Sequence, residues 1–515
     1  MPKIELNPEF KQALSLAGKS QQNIFITGKA GTGKSTLLEY FRDHNKKSLV
    51  VLAPTGVAAL NVHGETIHSF FRFKPNITLK EVLKSASKAD KKLFQKLDAI
   101  VIDEISMVRA DLLDCIDLFL QTVRKNKEAF GGLQMIMIGD LYQLPPVVTK
   151  NDKEFFTKEY ASPYFFDAKV MQGLGSELQI IELQKIYRQS DQKFIELLNA
   201  IRNRSVTDSQ ITKINKRVDL DCGEKDEGYI YLTTVNKSAD EINSHKLSKL
   251  AGKTQRFTAE TNGSFPENSY PTDPKLQLKI GARVMFLNND SGGDWVNGSL
   301  GKVIEFADVD DESGVIVELA DGEEVEVFPH TWDIYHSIYD KKAGSLRQEP
   351  VGSFTQIPLR LSWAITIHKS QGKTFDKVII DLGRGTFAHG QSYVALSRCR
   401  TFEGMILKSP MKKSHVIMDW RVPKFLTGRK YEESEKACSL DDKVEIIKKA
   451  IKNKSKLSIV YLKAQDVRSS RLIRPSFVGE LEYADKPFLG MEARCLLRNA
   501  DRVFRVDRIL EIEVG

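Results

Sequence analysis

The segment IFITGKAGTGKS (24–35) is the most informative stretch of the chain for its fold class. Its first three residues are apolar and predict a buried strand, and residues 28–35 fit the pattern G-x-x-x-x-G-K-[ST]. A helical pattern follows, as this motif requires. The glycines allow backbone N–H groups to close around phosphate oxygens at the positive end of that helix. The segment therefore predicts a nucleoside triphosphate site, in which Lys34 reaches the β- and γ-phosphates and Ser35 ligates Mg²⁺.

Further apolar runs in the first 180 residues lie at 49–52, 99–102 and 135–138. Runs of this length are typical of strands buried on both faces of a parallel sheet, and amphipathic segments separate them. The fold class is therefore α/β. The second run ends in Asp103 and Glu104, and we expect Asp103 to hold Mg²⁺ and Glu104 to polarise the attacking water.

The rest of the chain divides into segments that differ in their pattern of apolar and turn-forming residues. The α/β pattern continues over 181–274 and 354–410, whereas 275–353 shows short strands between Gly, Asp and Asn turns and predicts an inserted small β-barrel. A polar, basic stretch at 411–440 predicts a linker. The final segment, 441–515, predicts a further domain that begins with a helix.

Composition excludes several classes of protein. The chain has 515 residues, a net charge of +8 and 41% hydrophobic residues, which is not the composition of a disordered chain. It contains no apolar run of about 20 residues, and its N-terminus lacks the pattern of a signal peptide. Its five cysteines follow no metal or disulfide pattern. We therefore expect a cytosolic protein without a membrane partner.

Other segments allow two interpretations each. APTGVAAL (53–60) and GETIHSFF (64–71) could contact phosphates and stack on bases, or form a loop with a packed Phe pair. Gln143 could sense the γ-phosphate, or its Pro-containing segment could merely end a strand. Arg188 and Arg398 could act as arginine fingers, or lie solvated on a helix.

Taken together, the motifs resemble superfamily-one class B DNA helicases of the Pif (petite integration frequency) family. The matching segments are GKAGTGKS (28–35), APTGVAAL (53–60), GETIHSFF (64–71), VIDEISMV (101–108), GDLYQLPP (139–146), LQKIYRQ (183–189), LTTVNKSADEIN (232–243), AITIHKSQGKTFD (364–376) and GQSYVALSRCR (390–400). They cover about 20–410.

The resemblance implies two RecA-like P-loop domains at 1–180 and at 181–274 plus 354–410. It also implies an SH3-like insertion at 275–353 and a small wedge near 65–80. The implied activity is ATP-dependent movement 5′ to 3′ on single-stranded DNA. The implied substrates are duplex, forked and G-quadruplex DNA and RNA–DNA hybrids, with roles in replication, repair, recombination or telomere-type maintenance, and the protein is expected to act as a monomer.

The resemblance also implies roles for particular residues. Catalysis would use Lys34, Asp103, Glu104, Gln143, Arg188 and Arg398. The cofactors ATP and Mg²⁺ would be held by Gly28, Gly31, Thr32, Gly33, Lys34, Ser35, Thr36, Tyr187, Gly372 and Asp103, with Gln12 as a substitute for the family's adenine-binding glutamine. DNA would be contacted by Pro54, Thr55, Gly56, His68, Ser69, Phe71, Thr366, His368 and Ser370, while Gln371 and Gly372 would couple the two sites.

The tail at 441–515 is similar to a WYL domain, a small Sm-like β-barrel found in bacterial proteins, and we therefore expect a bacterial, nucleoid-associated protein. Residues 441–475 carry ten Lys or Arg against four Asp or Glu, a net of +6. Such a balance suits phosphates, through a set that would comprise Lys448, Lys449, Lys452, Lys454, Lys456, Arg494, Arg502 and Arg505. The alternative is a solvated helix face.

Two other functions remain open from the residues alone. A phosphotransferase that uses the P-loop would turn over without regard to DNA. A transcriptional regulator with the WYL domain as its sensor would need a helix-turn-helix for duplex recognition, and the sequence shows none.

Overall fold

The structure is a computed structural model that describes residues 6–74, 77–149, 152–220, 228–290, 292–309, 312–340, 345–383, 385–483 and 485–514. It contains two compact units, Met1–Asn199 with Thr207–Ile417 and Ala200–Val206 with Met418–Gly515. No helix in these described ranges has the length and apolar character needed to cross a bilayer. Four cysteines are free, and Cys222 lies outside the described residues.

A six-stranded parallel sheet organises the N-terminal part of the first unit. Its strands are β1 (Ile24–Gly28), β2 (Leu49–Ala53), β3 (Glu65–Thr66), β4 (Ala99–Ile102), β5 (Gln134–Gly139) and β6 (Gln179–Leu183). They lie in the order β3-β2-β4-β5-β1-β6, and every pair is parallel. The apolar runs of the sequence form these strands because both faces of the sheet are covered. The sheet continues to Leu183, three residues past the predicted boundary.

Helices cover this first sheet and connect its strands. They are α1 (Pro8–Lys19), α2 (Lys34–His44), α3 (Gly56–Asn61), α4 (Ile67–Phe71), α5 (Leu79–Ser87), α6 (Lys91–Lys96), α7 (Ala110–Arg124), α8 (Lys153–Glu159) and α9 (Lys169–Leu174). The predicted wedge near 65–80 contains β3, α4 and the start of α5, and its residues 75–76 lie outside the described residues. Its action on a duplex stays a prediction.

A second, four-stranded parallel sheet supports the other lobe of this unit. Its helices are α10 (Gln192–Arg202), α11 (Asp208–Asn215), α12 (Asn236–Lys249) and α13 (Gln391–Leu396). Its strands are β7 (Ile230–Thr233), β18 (Ala364–Thr366), β19 (Val378–Asp381) and β20 (Met405–Leu407). The order is β18-β7-β19-β20. The predicted α/β fold class is therefore confirmed for both lobes.

The insertion between β7 and β18 is longer than the sequence indicated. Its strands are β8 (Gln255–Thr258), β9 (Glu260–Gly263), β10 (Lys275–Leu278), β11 (Arg283–Phe286), β12 (Leu300–Val309), β13 (Glu312–Leu319), β14 (Glu324–Val327), β15 (His330–Asp340), β16 (Ser345–Gln356) and β17 (Leu359–Leu361). The first two were not predicted because they are largely exposed and carry no apolar run.

The insertion strands form three open sheets, with strand orders β14-β13-β12-β11-β17, β15-β16-β9 and β10-β8. The described residues show no pairing that closes a barrel. Short apolar runs at 284–286, 301–304, 314–319 and 325–327 predicted β11 to β14. Closure depends on how a sheet twists and which edges meet, and the sequence pattern does not contain that information.

The second unit begins with two helices and continues as an antiparallel sheet. The helices are α14 (Arg421–Ala437) and α15 (Leu440–Lys452), and the strands are β21 (Leu457–Lys463), β22 (Val467–Tyr483), β23 (Lys486–Cys495), β24 (Ala500–Arg505) and β25 (Ile509–Val514). The order is β24-β23-β22-β21-β25. Among the described residues the edge strands β24 and β25 do not pair, so the predicted closed barrel is not seen here either.

The stretch predicted as a linker, 411–440, contains the helix α14 (Arg421–Ala437), so Pro423 and Gly428 do not interrupt regular structure there. Pro423 and Gly428 suggested a break in the chain. Pro423 lies in the first helical turn, where a backbone N–H has no intrahelical partner in any case. A single Gly inside a helix costs only about 1 kcal/mol relative to Ala, which packing offsets.

Candidate active site and nucleic-acid interface

The phosphate loop lies between β1 and α2, at the carboxyl edge of the first sheet. Gly31 and Gly33 have φ values of 80° and 82°, a region that favours glycine. A Cβ on Gly31 would lie only 2.4 Å from the Cβ of Arg188. Glycine at this position therefore also allows Arg188 to pack against the loop backbone. The Lys34 Nζ donates to the carbonyl oxygens of Gly28 and Lys29 at 2.8 and 3.1 Å. These contacts hold the ammonium across the mouth of the loop.

Two carboxylates follow β4 at the same edge of the sheet. Burial raises the pKa of Asp103, and the positive charge of Lys34 opposes that rise. Burial and the neighbouring Asp103 raise the pKa of Glu104 to about 7. Glu104 has a φ of 49°, an uncommon value for a residue with a side chain, and such backbone strain often occurs at functional sites. A base with a pKa near 7 is well matched to accepting a proton from water.

Arginines from both lobes meet near the loop. Arg188, which follows β6, donates to the Gly372 carbonyl at 3.0 Å. Arg398 is 1% exposed and donates through Nε to the Val394 carbonyl and through Nη1 to the Lys373 carbonyl. Burial and the nearby Arg188 lower the pKa of Arg398 to about 9. Two cations held this closely are arranged to meet an anion.

These groups line one cavity of about 970 Å³. Its walls include the predicted residues Gly31, Thr32, Gly33, Lys34, Ser35, Thr36, Glu104, Gln143, Tyr187, Arg188, Gly372 and Arg398. Gly28 lies at the base of the loop, and Asp103 lies behind Glu104. The structure therefore brings the predicted catalytic and phosphate residues together at the junction of the two lobes.

The loop after β18, whose residues are predicted to contact DNA, also contacts the site through Gln371. Gln371 donates from Nε2 to Oε2 of Glu104 at 3.0 Å. Gln371 follows Thr366, His368 and Ser370 in the loop after β18. This hydrogen bond links the loop after β18 to Glu104, and the coupling role of Gln371 stays a prediction.

Several contacting residues had no predicted role. The Ala30 N–H donates to the Tyr393 hydroxyl at 2.9 Å, so α13 touches the phosphate loop itself. His389 Nε2 lies 2.8 Å from the Leu141 carbonyl. A Cβ on Gly390 would lie 2.3 Å from the Gln143 carbonyl oxygen. Their positions in or beside the motif segments were the available signal. The sequence does not show which residues 240 or more positions apart come into contact.

The side of the cavity near α1 does not include Gln12, the predicted substitute for an adenine-binding glutamine. Gln12 is exposed on α1 and does not line the cavity, whereas Phe10 of the same helix does. The Phe10 ring packs against Gly33 of the phosphate loop, since a Cβ on Gly33 would lie 3.1 Å from the ring. Tyr187 is 46% exposed, so one face of its ring is available. Phe10 and Tyr187 offer apolar surfaces to a base, without a glutamine.

The residues predicted to follow DNA are placed less uniformly. Thr55 is exposed and accepts from Ala58 N at the start of α3, while Pro54, Gly56, His68 and Ser69 are half-buried. His368 is exposed, and Thr366 and Ser370 are buried at 4% and 0% exposure. The Ser370 hydroxyl donates to the Ile367 carbonyl. Several of these hydroxyls therefore shape the backbone in addition to any contact with a ligand.

Phe71 differs from the prediction that it stacks on a base. It is 0% exposed and packs with Phe73, Phe94 and Phe119, at ring-centroid distances of 5.3, 6.0 and 5.1 Å. The alternative reading of this segment, a packed Phe pair, matches the structure. The aromatic residues here form core because the short helix α4 turns them toward α6 and α7.

The long hairpin of β15 and β16 contacts the same segment. The Glu65 Oε1 accepts from the Ser337 N–H and hydroxyl, at 2.6 and 2.8 Å. The Ser69 hydroxyl lies 2.9 Å from His336 Nε2. Burial raises the pKa of Glu65 to about 7. The insertion is therefore joined to the first lobe by polar contacts around a buried carboxyl group.

The residues present fit a nucleotide-bound Mg²⁺. This ion prefers oxygen ligands and usually takes only one or two from the protein, together with phosphates and water. Ser35 and Asp103 supply such oxygens beside Lys34, and burial raises the pKa of Asp103 although the charge of Lys34 opposes that rise, so a further cation would favour the ionised carboxylate. When bound, the ion would neutralise charge on the phosphates.

Fold and site together define a P-loop NTPase whose two parallel-sheet lobes share one nucleotide cavity. A family model described as PIF1-like helicase matches residues 5–212, and one described as WYL domain matches 442–514. The ATP-dependent DNA helicase Pif1 of Bdellovibrio bacteriovorus is 33% identical over 432 residues, which cover 82% of this chain and 92% of that protein. The chain belongs to the Pif1 helicase family and carries a C-terminal WYL domain.

Solved structures agree with this assignment. Bacteroides sp Pif1 in complex with ADP-AlF4 is similar at 37% identity and a TM-score of 0.75, over 84% of this chain and 98% of that one. Bacteroides Pif1 bound to ssDNA is similar at 37% identity and a TM-score of 0.58, over 84% and 98%. The family resemblance read from the motifs is confirmed.

Proposed function

We propose that the chain hydrolyses ATP between its two lobes and uses the energy to move 5′ to 3′ along single-stranded DNA. The main support for this proposal is that Lys34 and Glu104 of one lobe line the same cavity as Arg398 of the other. A phosphoryl group in transfer spreads negative charge over its oxygens, and arginines from a second lobe stabilise it only when the lobes are together. Hydrolysis then weakens the attraction between the lobes, which separate.

The hydrogen bond between Gln371 and Glu104 supports coupling to DNA. In this arrangement Gln371 donates to one oxygen of the carboxylate that we assign to water activation. Strand binding at Thr366 and His368 would shift this loop and release Glu104 for the water. We therefore expect hydrolysis to be slow without DNA and to accelerate when a strand is bound.

The test measures ATP hydrolysis with and without a single-stranded oligonucleotide, with Mg²⁺ present. We expect clear stimulation, and Lys34→Ala should remove hydrolysis in both conditions. The exposed Lys46 provides a matched control, since Lys46→Ala removes the same charge from a position just beyond the C-terminal end of α2. A wild-type rate that ignores DNA would support the phosphotransferase alternative instead.

The direction of movement and the preferred DNA structure are tested with a series of different substrates. Partial duplexes with a 5′ overhang should be unwound and those with a 3′ overhang should not. Forked duplexes, a G-quadruplex with a 5′ tail and an RNA–DNA hybrid complete the series. A relative described in terms of DNA unwinding at forked dsDNA supports the forked substrate, and another described as bound to ssDNA supports a single-stranded track. Unwinding only from the 3′ overhang would contradict the proposed direction while leaving the motor assignment intact.

For the WYL domain we propose a contribution to DNA binding. Arg474 and Arg494 are directly paired on β22 and β23, and Arg505 lies 5.2 Å from the Phe488 ring. A basic, aromatic sheet face suits the phosphates and bases of a single strand. Arg494 and Arg505 pair with Asp501 and Asp507, but exposed ion pairs contribute little and yield readily to phosphates. Arg474→Ala with Arg494→Ala should weaken binding and reduce its salt dependence by about 1.4 in log–log slope.

A further inference from the structure

The second compact unit includes a short piece of chain that comes from the motor region. Ala200–Val206 holds the last residues of α10 and clusters with Met418–Gly515. Arg202 and Asn203 are 4% and 7% exposed there, and Asp466, in the turn between β21 and β22, is 8% exposed. A WYL-domain turn therefore encloses the end of a helix that belongs to the sequence of the second lobe.

Asp466 is the centre of this contact. Its Oδ2 lies 3.9 Å from Nη1 of Arg202, and its Oδ1 accepts from Lys430 Nζ of α14 at 2.8 Å. Its backbone carbonyl accepts from Asn203 Nδ2 at 3.1 Å. Asp466 adopts a φ of 57°, in the left-handed region that Asp occupies more often than most residues with a side chain. A buried carboxylate between two cations is costly to disturb, because removing one partner leaves uncompensated charge.

The other end of α10 follows the nucleotide cavity directly. Gln189, three residues before the helix, donates from Nε2 to the carbonyls of Ser397 and Cys399, which flank Arg398. Arg188 precedes it and lines the cavity. Phe194 in the first turn of α10 packs edge-to-face against Phe402, with ring centroids 5.9 Å apart. The N-terminal end of this helix thus supports both arginines of the site.

We propose that Asp466 is a positioning residue for ATP hydrolysis, which acts through helix α10 on Arg188 and Gln189. The inference rests on the proposed function of the cavity. Helix α10 has 11 residues and no internal Pro or Gly, so a constraint at its C-terminal end is carried to its N-terminal end. The WYL domain is then part of the motor's own alignment as well as a module with a surface of its own.

The test compares full-length Asp466→Asn with the wild-type chain in steady-state ATP hydrolysis, with and without oligonucleotide. Asn keeps the shape and removes the charge. We expect kcat to fall about tenfold and KM for ATP to stay within about twofold, since small misplacements of catalytic groups cost rate more than binding. Asp466→Glu, which restores the charge, should recover part of kcat. A purely structural role would lower the unfolding temperature and leave kcat per folded molecule unchanged.

Arg202→Gln approaches the same contact from the helix side. It should reproduce the loss of kcat, and the double variant should be no worse than either single one, because residues in one network are not additive. Glu482→Ala, an exposed acidic change on β22, is the matched control and should hydrolyse ATP as the wild type does.

The two proposals fail in different ways. A wild-type chain that ignores DNA contradicts the motor function, and basal kcat still tests Asp466. A folded Asp466→Asn or Arg202→Gln chain with wild-type kcat overturns the positioning role, whatever the response to DNA.

Discussion

The nucleotide cavity and the segments assigned to DNA use similar residue types in different ways. In the cavity, Lys34, Glu104 and Arg188 all line one space, where their side chains can meet a ligand. In the DNA-linked segments, Phe71 and Ser370 are fully buried and shape the protein itself. Phosphoryl transfer requires particular charges at particular points, whereas a strand can be held by backbone groups and loop shape. A motif therefore specifies side-chain chemistry in the first region and local backbone form in much of the second.

The largest effect that tests this contrast is expected at Arg188. Arg188→Ala should reduce ATP hydrolysis about 10³-fold, the usual contribution of an arginine finger, with little change in affinity for single-stranded DNA. Hydrolysis assays and fluorescence anisotropy with a labelled oligonucleotide measure the two quantities. Lys193→Ala removes a nearby exposed charge and is the control. Equal losses in both assays would show that the two regions are not separable.

The pH dependence of hydrolysis sharpens the comparison on the cavity side. Burial and Asp103 raise the pKa of Glu104 to about 7, and only its ionised form can accept a proton from water. The rate should therefore rise about tenfold between pH 6 and pH 8, while oligonucleotide binding should not follow that curve. Rates measured at saturating ATP across this range check it. A flat profile would remove Glu104 from water activation.

A smaller effect is expected where the insertion meets the DNA-linked segment. The pKa of Glu65 is raised to about 7, above its ordinary value of 4.5, so between these values the folded chain binds a proton that the unfolded chain has lost. Stability should thus decrease as the pH rises through 7, by about 1 kcal/mol between pH 6 and pH 8. Glu65→Gln should flatten this decrease in urea unfolding. A steeper loss in the variant would contradict the assignment.

The smallest effect is expected at Phe71. Phe71→Leu should lower the free energy of unfolding by about 1 kcal/mol, because a ring is lost from a packed cluster. Affinity for single-stranded DNA should stay unchanged, whereas a base-stacking ring would cost about 1–3 kcal/mol of binding when removed. Anisotropy at fixed salt separates the two outcomes. A marked loss of affinity in the folded variant would restore the stacking interpretation.

Much of the fold could be predicted from particular stretches. The runs at 24–26, 99–102 and 135–138 became central strands because a parallel sheet buried on both faces selects continuous apolar residues. The helix α14 could not be recognised from the sequence, because Pro423 and Gly428 are residue types that usually mark a break but are also tolerated at these positions of a helix. β8 and β9 were missed because solvent-exposed strands leave no apolar signature.

The chemistry of the nucleotide site could be predicted from the chain alone, because the phosphate loop and the strand-end carboxylates are local patterns whose spacing already contains their geometry. Which distant residues complete the site depends on the folded structure. Tyr393 on Ala30, Gln371 on Glu104 and Asp466 around the end of α10 join points 260 or more residues apart along the chain. Such contacts arise from packing within each compact unit, and no local pattern encodes the distance between side chains that meet only after folding.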